Sequence, residues 1–391
     1  MIRGKYLLER IRVGDILSVI LIIFSASVSL NNSLNPIALY IAIPCSFLWS
    51  FSHYRVIRTN IYMKLLVILY SWILFCSFFA EDSHLAAMEM KRILGSFILC
   101  YSIAALSKNK IIPWLYVVYF VLLCAAWWYA KNNILSVIDF GVDRLNDQKL
   151  NANTLAYYTF YVTISVFIMG EILKSKLGFL FRLALFAMVF LAFITALYTA
   201  SRQVLLLQVP LFISLFGIRY ARERNNRVVF FLIMAFFIVF FINYGLEKYN
   251  NSTLKQRSEI AVKEDTRYQI AQECISLGFQ SPLIGYGPGN IVKKISSHHG
   301  AHNTYLELFV NTGVIGVFIF IFLLYVYIKR QYVRWVKTRD CLFLVFLTFG
   351  LFWILDQVFY AFYADLWLMS FFILVASHSD EYYYNNYCLK S

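Results

Sequence analysis

The chain contains 391 residues, of which 61% are hydrophobic and only 14% charged, and it carries a formal net charge of +14. That balance leaves too few charged groups to cover a soluble protein of this size and excludes water as its main solvent. The positive excess would suit a nucleic acid, but the basic residues are dispersed through short connections between apolar stretches. Membrane lipids, and no nucleic acid, are therefore the expected surroundings.

Crossing a hydrocarbon core of about 30 Å takes roughly 20 mostly apolar residues, because every backbone polar group must be satisfied within the segment. The sequence predicts such helices over 15–31, 36–52, 62–80, 92–107, 111–130, 153–172, 177–198, 203–219, 228–245, 304–328, 340–355 and 359–377. The expected fold is an all-α integral membrane protein with about 12 transmembrane helices and one large outward loop. Arg3, Lys5, Arg10 and Arg12 precede the first span and place the N-terminus in the cytoplasm. Every second loop agrees, with Arg55 and Arg58, Lys108 and Lys110, Lys174 and Lys176, then Arg219, Arg222, Arg224 and Arg227. Lys329, Arg330, Arg334, Lys337 and Arg339 complete that side, whereas the intervening loops 32–35 and 81–90 hold no Lys or Arg. Lys131, Arg144 and Lys149 run against the trend, which is a bias summed over loops. Both termini come out cytoplasmic. The first apolar segment lacks a small-residue cleavage site and is followed by further spans, so it is expected to remain as a permanent helix.

The seven cysteines fall mostly inside predicted spans without paired spacing and read as small apolar fillers. No loop motif repeats between the two halves, and no Gly- or Pro-broken spans occupy matching positions, which speaks against an inverted-repeat transporter. The chain divides instead into spans over 1–244, a polar loop at 245–303, and a last group of spans with a cytoplasmic tail at 304–391. By the charge count the long loop faces outward. A shorter outward loop, 131–152, carries Asp139, Asp143, Arg144 and Asp147 and is positioned to cover the same site.

Within the long loop, Asp265 and Thr266 cap a predicted amphipathic helix running through Ile275 along the membrane surface, and Pro282 helps to end it. Gly285-Tyr286-Gly287-Pro288-Gly289-Asn290 reads either as a plain turn or as a nest whose backbone N–H groups hold an anion. Arg202 stands between two spans in a loop too short to lift it from the bilayer, so it either snorkels to head groups or meets a functional partner. Arg267, at the start of the loop helix, is a second outward guanidinium. Two permanently charged planar donors on one face are what a phosphate-bearing substrate needs.

His298, His299 and His302 cluster before the span that starts at 304. They lack acidic or Cys partners nearby and the His-Glu-x-x-His register, so neither a metal nor another cofactor is expected. A general base is the favoured role, since imidazole, with an unperturbed pKa of about 6.5, can take a proton from a hydroxyl near neutral pH. An ordinary interfacial histidine is the alternative. Glu307, five residues after His302, is close enough to orient the histidine or receive a sugar hydroxyl. Asp356 and Asp365 flank the final outer turn, and Asp356 with Gln357 reads as either cavity-facing or a solvated loop.

Taken in order, Ala200-Ser201-Arg202, Thr266-Arg267-Tyr268, Pro282-Leu283-Ile284-Gly285-Tyr286-Gly287-Pro288-Gly289-Asn290, His302-Asn303-Thr304-Tyr305-Leu306 and Asn311-Thr312-Gly313-Val314-Ile315-Gly316 resemble the O-antigen ligase and polymerase superfamily. The resemblance covers about residues 195–330, and the N-terminal half matches in topology alone. It implies a GT-C-like helical fold in the bacterial inner membrane and an inverting, metal-independent glycan transfer at the periplasmic face. The implied donor is an undecaprenyl-pyrophosphate-linked glycan, and the acceptor a hydroxyl on lipid A core (a ligase, placed first) or on another repeat unit (a polymerase). The resemblance gives Arg202 and Arg267 the pyrophosphate and His302 the role of base. Gly285, Gly287, Gly289, Asn303 and Glu307 join the expected substrate-binding set. A flippase or transporter for the same lipid-linked sugar is the rival class; it calls for charges near mid-membrane, whereas these candidates gather at the outer face.

Overall fold

A computed structural model of the chain describes residues 59–106, 152–172, 202–220, 266–296, 298, 300–361, 363 and 366–388, with Leu48, Tyr116, Val228, Ala235 and Val239 as single positions. Among them every regular element is a helix: α1 (Ile61–Ser77), α2 (Ser83–Leu106), α3 (Ala152–Ile172), α4 (Arg202–Tyr220), α5 (Thr266–Gln280), α6 (Ile291–Lys294), α7 (Thr304–Thr338), α8 (Cys341–Asp356) and α9 (Leu366–Tyr383), which closes in a π-helical turn, Tyr384–Cys388. Among the described residues α7 is the one helix long and apolar enough to cross a membrane by length and composition. The predicted spans 15–31, 36–52, 111–130 and 177–198 lie outside the described residues apart from two single positions, as does 228–245 apart from three. The loop 131–151, His299 and Asp365 also lie outside them.

Three predicted boundaries move. The helix expected from 92 begins at Ser83, so the connection after α1 is a tight turn and 83–90 is not loop. Asp82 supplies the reason, because its carboxylate accepts the N–H groups of His84 and Leu85 at 2.9 and 3.0 Å and so caps the helix. The span expected from 304 to 328 continues to Thr338. The last one starts at Leu366, after a turn in which Tyr363 is buried and its carbonyl accepts the Tyr70 hydroxyl at 2.9 Å. Cys76, Cys100 and Cys274 are buried as fillers should be, whereas Cys388 is exposed in the closing turn.

The chain forms two compact units. One comprises 1–112, 262–336 and 353–391; the other comprises 113–261 and 337–352. In the second unit α3 and α4 pack through Phe167 and Phe216, with ring centroids 5.1 Å apart, and the Gln208 amide donates to the Thr163 hydroxyl at 2.6 Å. This bond joins two polar side chains buried between the apolar helices.

In the first unit α2 packs between α1 and α9. Asn60 caps α1 by accepting the N–H groups of Tyr62 and Met63, and its amide donates to Ser377 of α9 at 2.8 Å. Phe372 stacks on Trp353 at 4.3 Å and meets Tyr327 of α7 at 5.1 Å, so an aromatic column ties these helices together. At the C-terminal end of α7, Arg330 and Arg334 both reach Asp380, at 3.0 and 2.6 Å. Phe318, Ile321, Phe322 and Tyr325 stay exposed along α7, Phe318 by 68%. A row of that kind marks a surface that meets something apolar.

Helix α7 is broken at Gly313, whose φ of 69° and ψ of −173° are closed to side-chain-bearing residues. A break leaves the carbonyls of the preceding turn without partners, and each orphan buried away from water costs on the order of 2–7 kcal/mol. All three are taken. Tyr286 N–H donates to Val310 O at 2.8 Å, Gly287 N–H to Asn311 O at 3.0 Å, and the Trp72 indole to Thr312 O at 3.0 Å. On the far side of the break, Val314 N–H donates to Pro282 O at 2.8 Å. The glycine-rich loop thus completes the helix that follows it. Approach this close needs glycine: a Cβ on Gly313 would lie 2.2 Å from the Leu283 carbonyl oxygen, and one on Gly287 would lie 2.4 Å from the Ala80 Cβ.

The same loop is fastened to the α1–α2 turn. Lys293 pairs with Asp82, Lys294 with Glu81 at 2.7 Å, and the Asn290 side chain accepts the Asp82 N–H at 2.9 Å. The Lys293 ammonium, helped by the N–H groups of Leu85 and His84, holds the Asp82 carboxyl down at about 2.

Gly313→Ala is expected to lower stability by about 2 kcal/mol or more, read as a fall in thermal midpoint of the protein in lipid nanodiscs; an unchanged midpoint would contradict the loop-to-helix lock. A depressed carboxyl contributes stability that is present above its unfolded value and lost as pH falls through the folded one. The tie to Lys293 should therefore hold from neutral pH down through about pH 4 and release as pH falls toward 2, seen as faster amide exchange over 291–296. Asp82→Asn should show the faster exchange already at neutral pH.

Candidate functional site

The site is built around the start of α7. Asn303 is its cap, with the side-chain oxygen accepting Leu306 N–H at 3.0 Å and the backbone carbonyl accepting Glu307 N–H at 2.9 Å. Thr304 fastens this end to the turn after α8: its N–H donates to Gln357 O at 2.8 Å, and its hydroxyl lies 2.7 Å from Gln357 Oε1 and 2.9 Å from Tyr360 O. His302 is half-buried just before the cap, in left-handed backbone conformation with φ of 51°, its ring 6.5 Å from that of Tyr360. Such a conformation costs a side-chain-bearing residue about 1–2 kcal/mol and persists only where neighbours over-determine it. The bonds of Asn303 and Thr304 supply that constraint.

Glu307 acts on the same turn from the other side. Its carboxylate accepts the Ala301 N–H, receives the Tyr363 hydroxyl at 3.5 Å, and faces Glu89 and Arg92 of α2. Arg92 and Glu89 form an ion pair at 3.2 Å. A Cβ on Gly300 would sit 3.1 Å from Glu307 Oε2, so the carboxylate and the 300–301 backbone are in close contact. Glu307 thus holds the backbone that leads to His302.

Arg267 is the second residue of α5. One turn later Ile270 enters an apolar cluster with Cys274, Ile291, Ile295, Ala301 and Val310, against which Leu306 also packs. Gly278 lets α5 approach α7, since a Cβ there would fall 2.2 Å from the Phe309 ring. The helix carrying Arg267 and the turn carrying His302 therefore rest on one core. The outer face of α5 leaves Ile275 and Phe279 exposed. Burial pushes the Cys274 thiol up to about 12, with the Glu307 and Glu273 carboxylates adding to it, so this cysteine is inert packing and not a nucleophile. Arg202 is the first residue of α4, in the second unit.

The glycine cluster is committed to packing at the amides described above: Gly285 N–H donates to Ser281 O at 3.1 Å, and those of Tyr286 and Gly287 to α7. Those three groups serve the turn and are not open to an anion. Asn290 caps nothing with its side chain, which instead holds the Asp82 backbone. His298 is exposed, with Nδ1 3.3 Å from Val292 O. Asp356 and Gln357 are fully buried, which corrects the solvated-loop alternative. Sequence reasoning missed Glu89, Arg92, Tyr360 and Tyr363 as neighbours of the site. Asn311 stood inside a quoted motif without a role; its Oδ1 accepts Ile291 N–H at 3.3 Å and its amide donates to the Tyr363 hydroxyl at 3.3 Å.

The family model described as O-antigen ligase matches residues 186–321, about a third of the chain. No curated protein matches it. The matched segment holds Arg202, Arg267, His302, Glu307, the glycine loop and the break at Gly313. Residues 186–321, with their interlocked loop and broken helix, are thus the part of this chain that is similar to the O-antigen ligase family.

Proposed function

We propose that the protein transfers a glycan from an undecaprenyl-pyrophosphate carrier to a hydroxyl of a lipid-linked sugar, at the periplasmic face of the bacterial inner membrane, without metal or nucleotide. Lipid A core is the acceptor named first, which makes the chain an O-antigen ligase. The observation that carries this reading is the coincidence of match and site: all three candidate catalytic residues lie within 186–321, and Arg267's helix shares an apolar core with the turn that presents His302. The multi-pass arrangement with cytoplasmic termini is supported by the charge pattern, and the paired Arg330 and Arg334 lie at the end of α7 opposite His302.

The chemistry follows from the residue types. His302 takes the proton of the acceptor hydroxyl as its oxygen attacks the anomeric carbon from the side opposite the carrier. The bond to the pyrophosphate breaks, and its electron pair leaves on the phosphate oxygen. Arg202 and Arg267 neutralise the charge that grows there, the kind of electrostatic stabilisation that contributes most to lowering such barriers. Inversion results from the single displacement, and confinement of both lipid-linked reactants to one membrane plane replaces much of the entropy of encounter. Asn303, Glu307 and the glycines Gly285, Gly287 and Gly289 serve this reaction chiefly by holding the turn and helix on which His302 stands.

Purified protein in nanodiscs, given carrier-linked glycan and core-lipid acceptor, is expected to form product that persists in the presence of EDTA. His302→Ala, Arg202→Ala and Arg267→Ala should each lower kcat by about a hundredfold or more. Full activity in all three variants would end the site assignment, and loss of product on chelation would end the metal-free mechanism. Glu307→Gln keeps an acceptor for the Ala301 N–H and should stay within about tenfold of wild type. Glu307→Ala should fall about another tenfold in kcat with KM unchanged; equal rates for the two variants would remove Glu307 from the positioning of His302.

A further inference from the structure

An open cavity of about 420 Å³ lies on the loop between α5 and the 293–298 segment, lined among others by Glu273, Ser276, Gln280, Lys293, Lys294 and His298. Two lysines would ordinarily mark a phosphate site. Here both are already neutralised, Lys293 by Asp82 and Lys294 by Glu81, and the Lys294 ammonium also sits 4.5 Å above the Tyr286 ring. Glu273 is equally committed: its two oxygens accept the N–H and the hydroxyl of Ser296 at 2.9 and 2.6 Å.

What remains is a set of uncharged hydrogen-bonding groups over an apolar floor. The Ser276 hydroxyl and the Gln280 amide nitrogen donate to nothing among the described residues, while Gln280 Oε1 is fixed by the Tyr286 hydroxyl at 3.2 Å. His298 Nδ1 lies 3.3 Å from the Val292 carbonyl oxygen, which leaves Nε2 to meet a ligand hydroxyl. Leu277 and Ile295 supply the apolar surface. Paired donors and acceptors beside aliphatic carbon, with both lysine charges compensated and the Glu273 oxygens occupied by Ser296, complement the hydroxyls and C–H face of a sugar.

We infer that this groove binds a neutral oligosaccharide, the sugar part of a lipid-linked substrate, away from the reacting bond. The assignment rests on the glycan-transfer reading above and deepens it. Leu277 and Ile295 belong to the same apolar cluster as Ala301, so the groove and the turn presenting His302 have a common support. A sugar chain held there would be anchored while its reducing end meets the catalytic residues, and it would be selected by its hydroxyl pattern.

The test uses the full chain in nanodiscs and saturation-transfer NMR, with two probes taken separately: lipid-free repeat-unit oligosaccharide and dephosphorylated core oligosaccharide from the host bacterium. At least one should bind, and its identity tells whether the groove serves donor or acceptor. Ser276→Ala/Gln280→Ala, both exposed helix positions where alanine is well tolerated, should weaken that binding about tenfold. Inorganic pyrophosphate should not displace the sugar. Binding by neither probe, unchanged affinity in the double variant, or displacement by pyrophosphate would overturn the groove assignment. Transfer is assayed in parallel: if wild type binds sugar through these two residues but forms no product, the transfer reading fails and the groove stands. If transfer proceeds and the double variant keeps the same KM for long-chain donor, the groove fails and transfer stands.

Discussion

The first unit depends on the repair of a broken helix. In an apolar surrounding a helix cannot leave carbonyls unmet, and the break at Gly313 exposes those of Val310, Asn311 and Thr312 at once. Two of the three are satisfied by the backbone of residues 286 and 287 and the third by Trp72 of α1. The glycine loop and the following helix are therefore a single construction, which explains why the motif around Gly285 and the one around Gly313 occur together. Because the first arm of α7 also begins at Asn303, fixing the break fixes the distance from the loop to His302.

That construction organises the candidate site through backbone contacts. Glu307 takes hold of the Ala301 N–H, Thr304 of the 357–360 turn, and Asn311 of both α6 and Tyr363. His302 is left with one conformation, a left-handed one, that it would not choose alone. A histidine held in that way presents its ring in a reproducible direction, which the proposed role of base requires.

Much of this was legible in the sequence, in different degrees. The apolar stretches gave α1, α3, α4 and α8 to within a residue or a turn, because a long apolar run between polar connections reads as one helix. The loop helix was legible from the apolar positions Ile270 and Cys274, which do become its buried face. The early start of α2 was not. Glu89 looks like a loop residue to a hydropathy count and Arg92 like the edge of a span, yet Glu89 is buried and the pair faces Glu307, a partner more than two hundred positions away in sequence. Tyr363 and Tyr360 were hidden for the same reason, since nothing local announces a long-range hydrogen bond. The glycines were recognised as conformationally special, but their use depends on which backbone lies opposite, and that is a tertiary fact.

The order of the segments along the chain has a consequence for biogenesis. Trp72 and the 282–287 loop are both synthesised before Gly313 leaves the ribosome. Every group needed to close the gap in α7 is thus already waiting when the gap is made, so the helix can be sealed as it is inserted and never has to reside in lipid with its carbonyls bare. A permuted chain carrying this loop after the helix would keep the same contacts in the finished protein and lose that protection during its assembly.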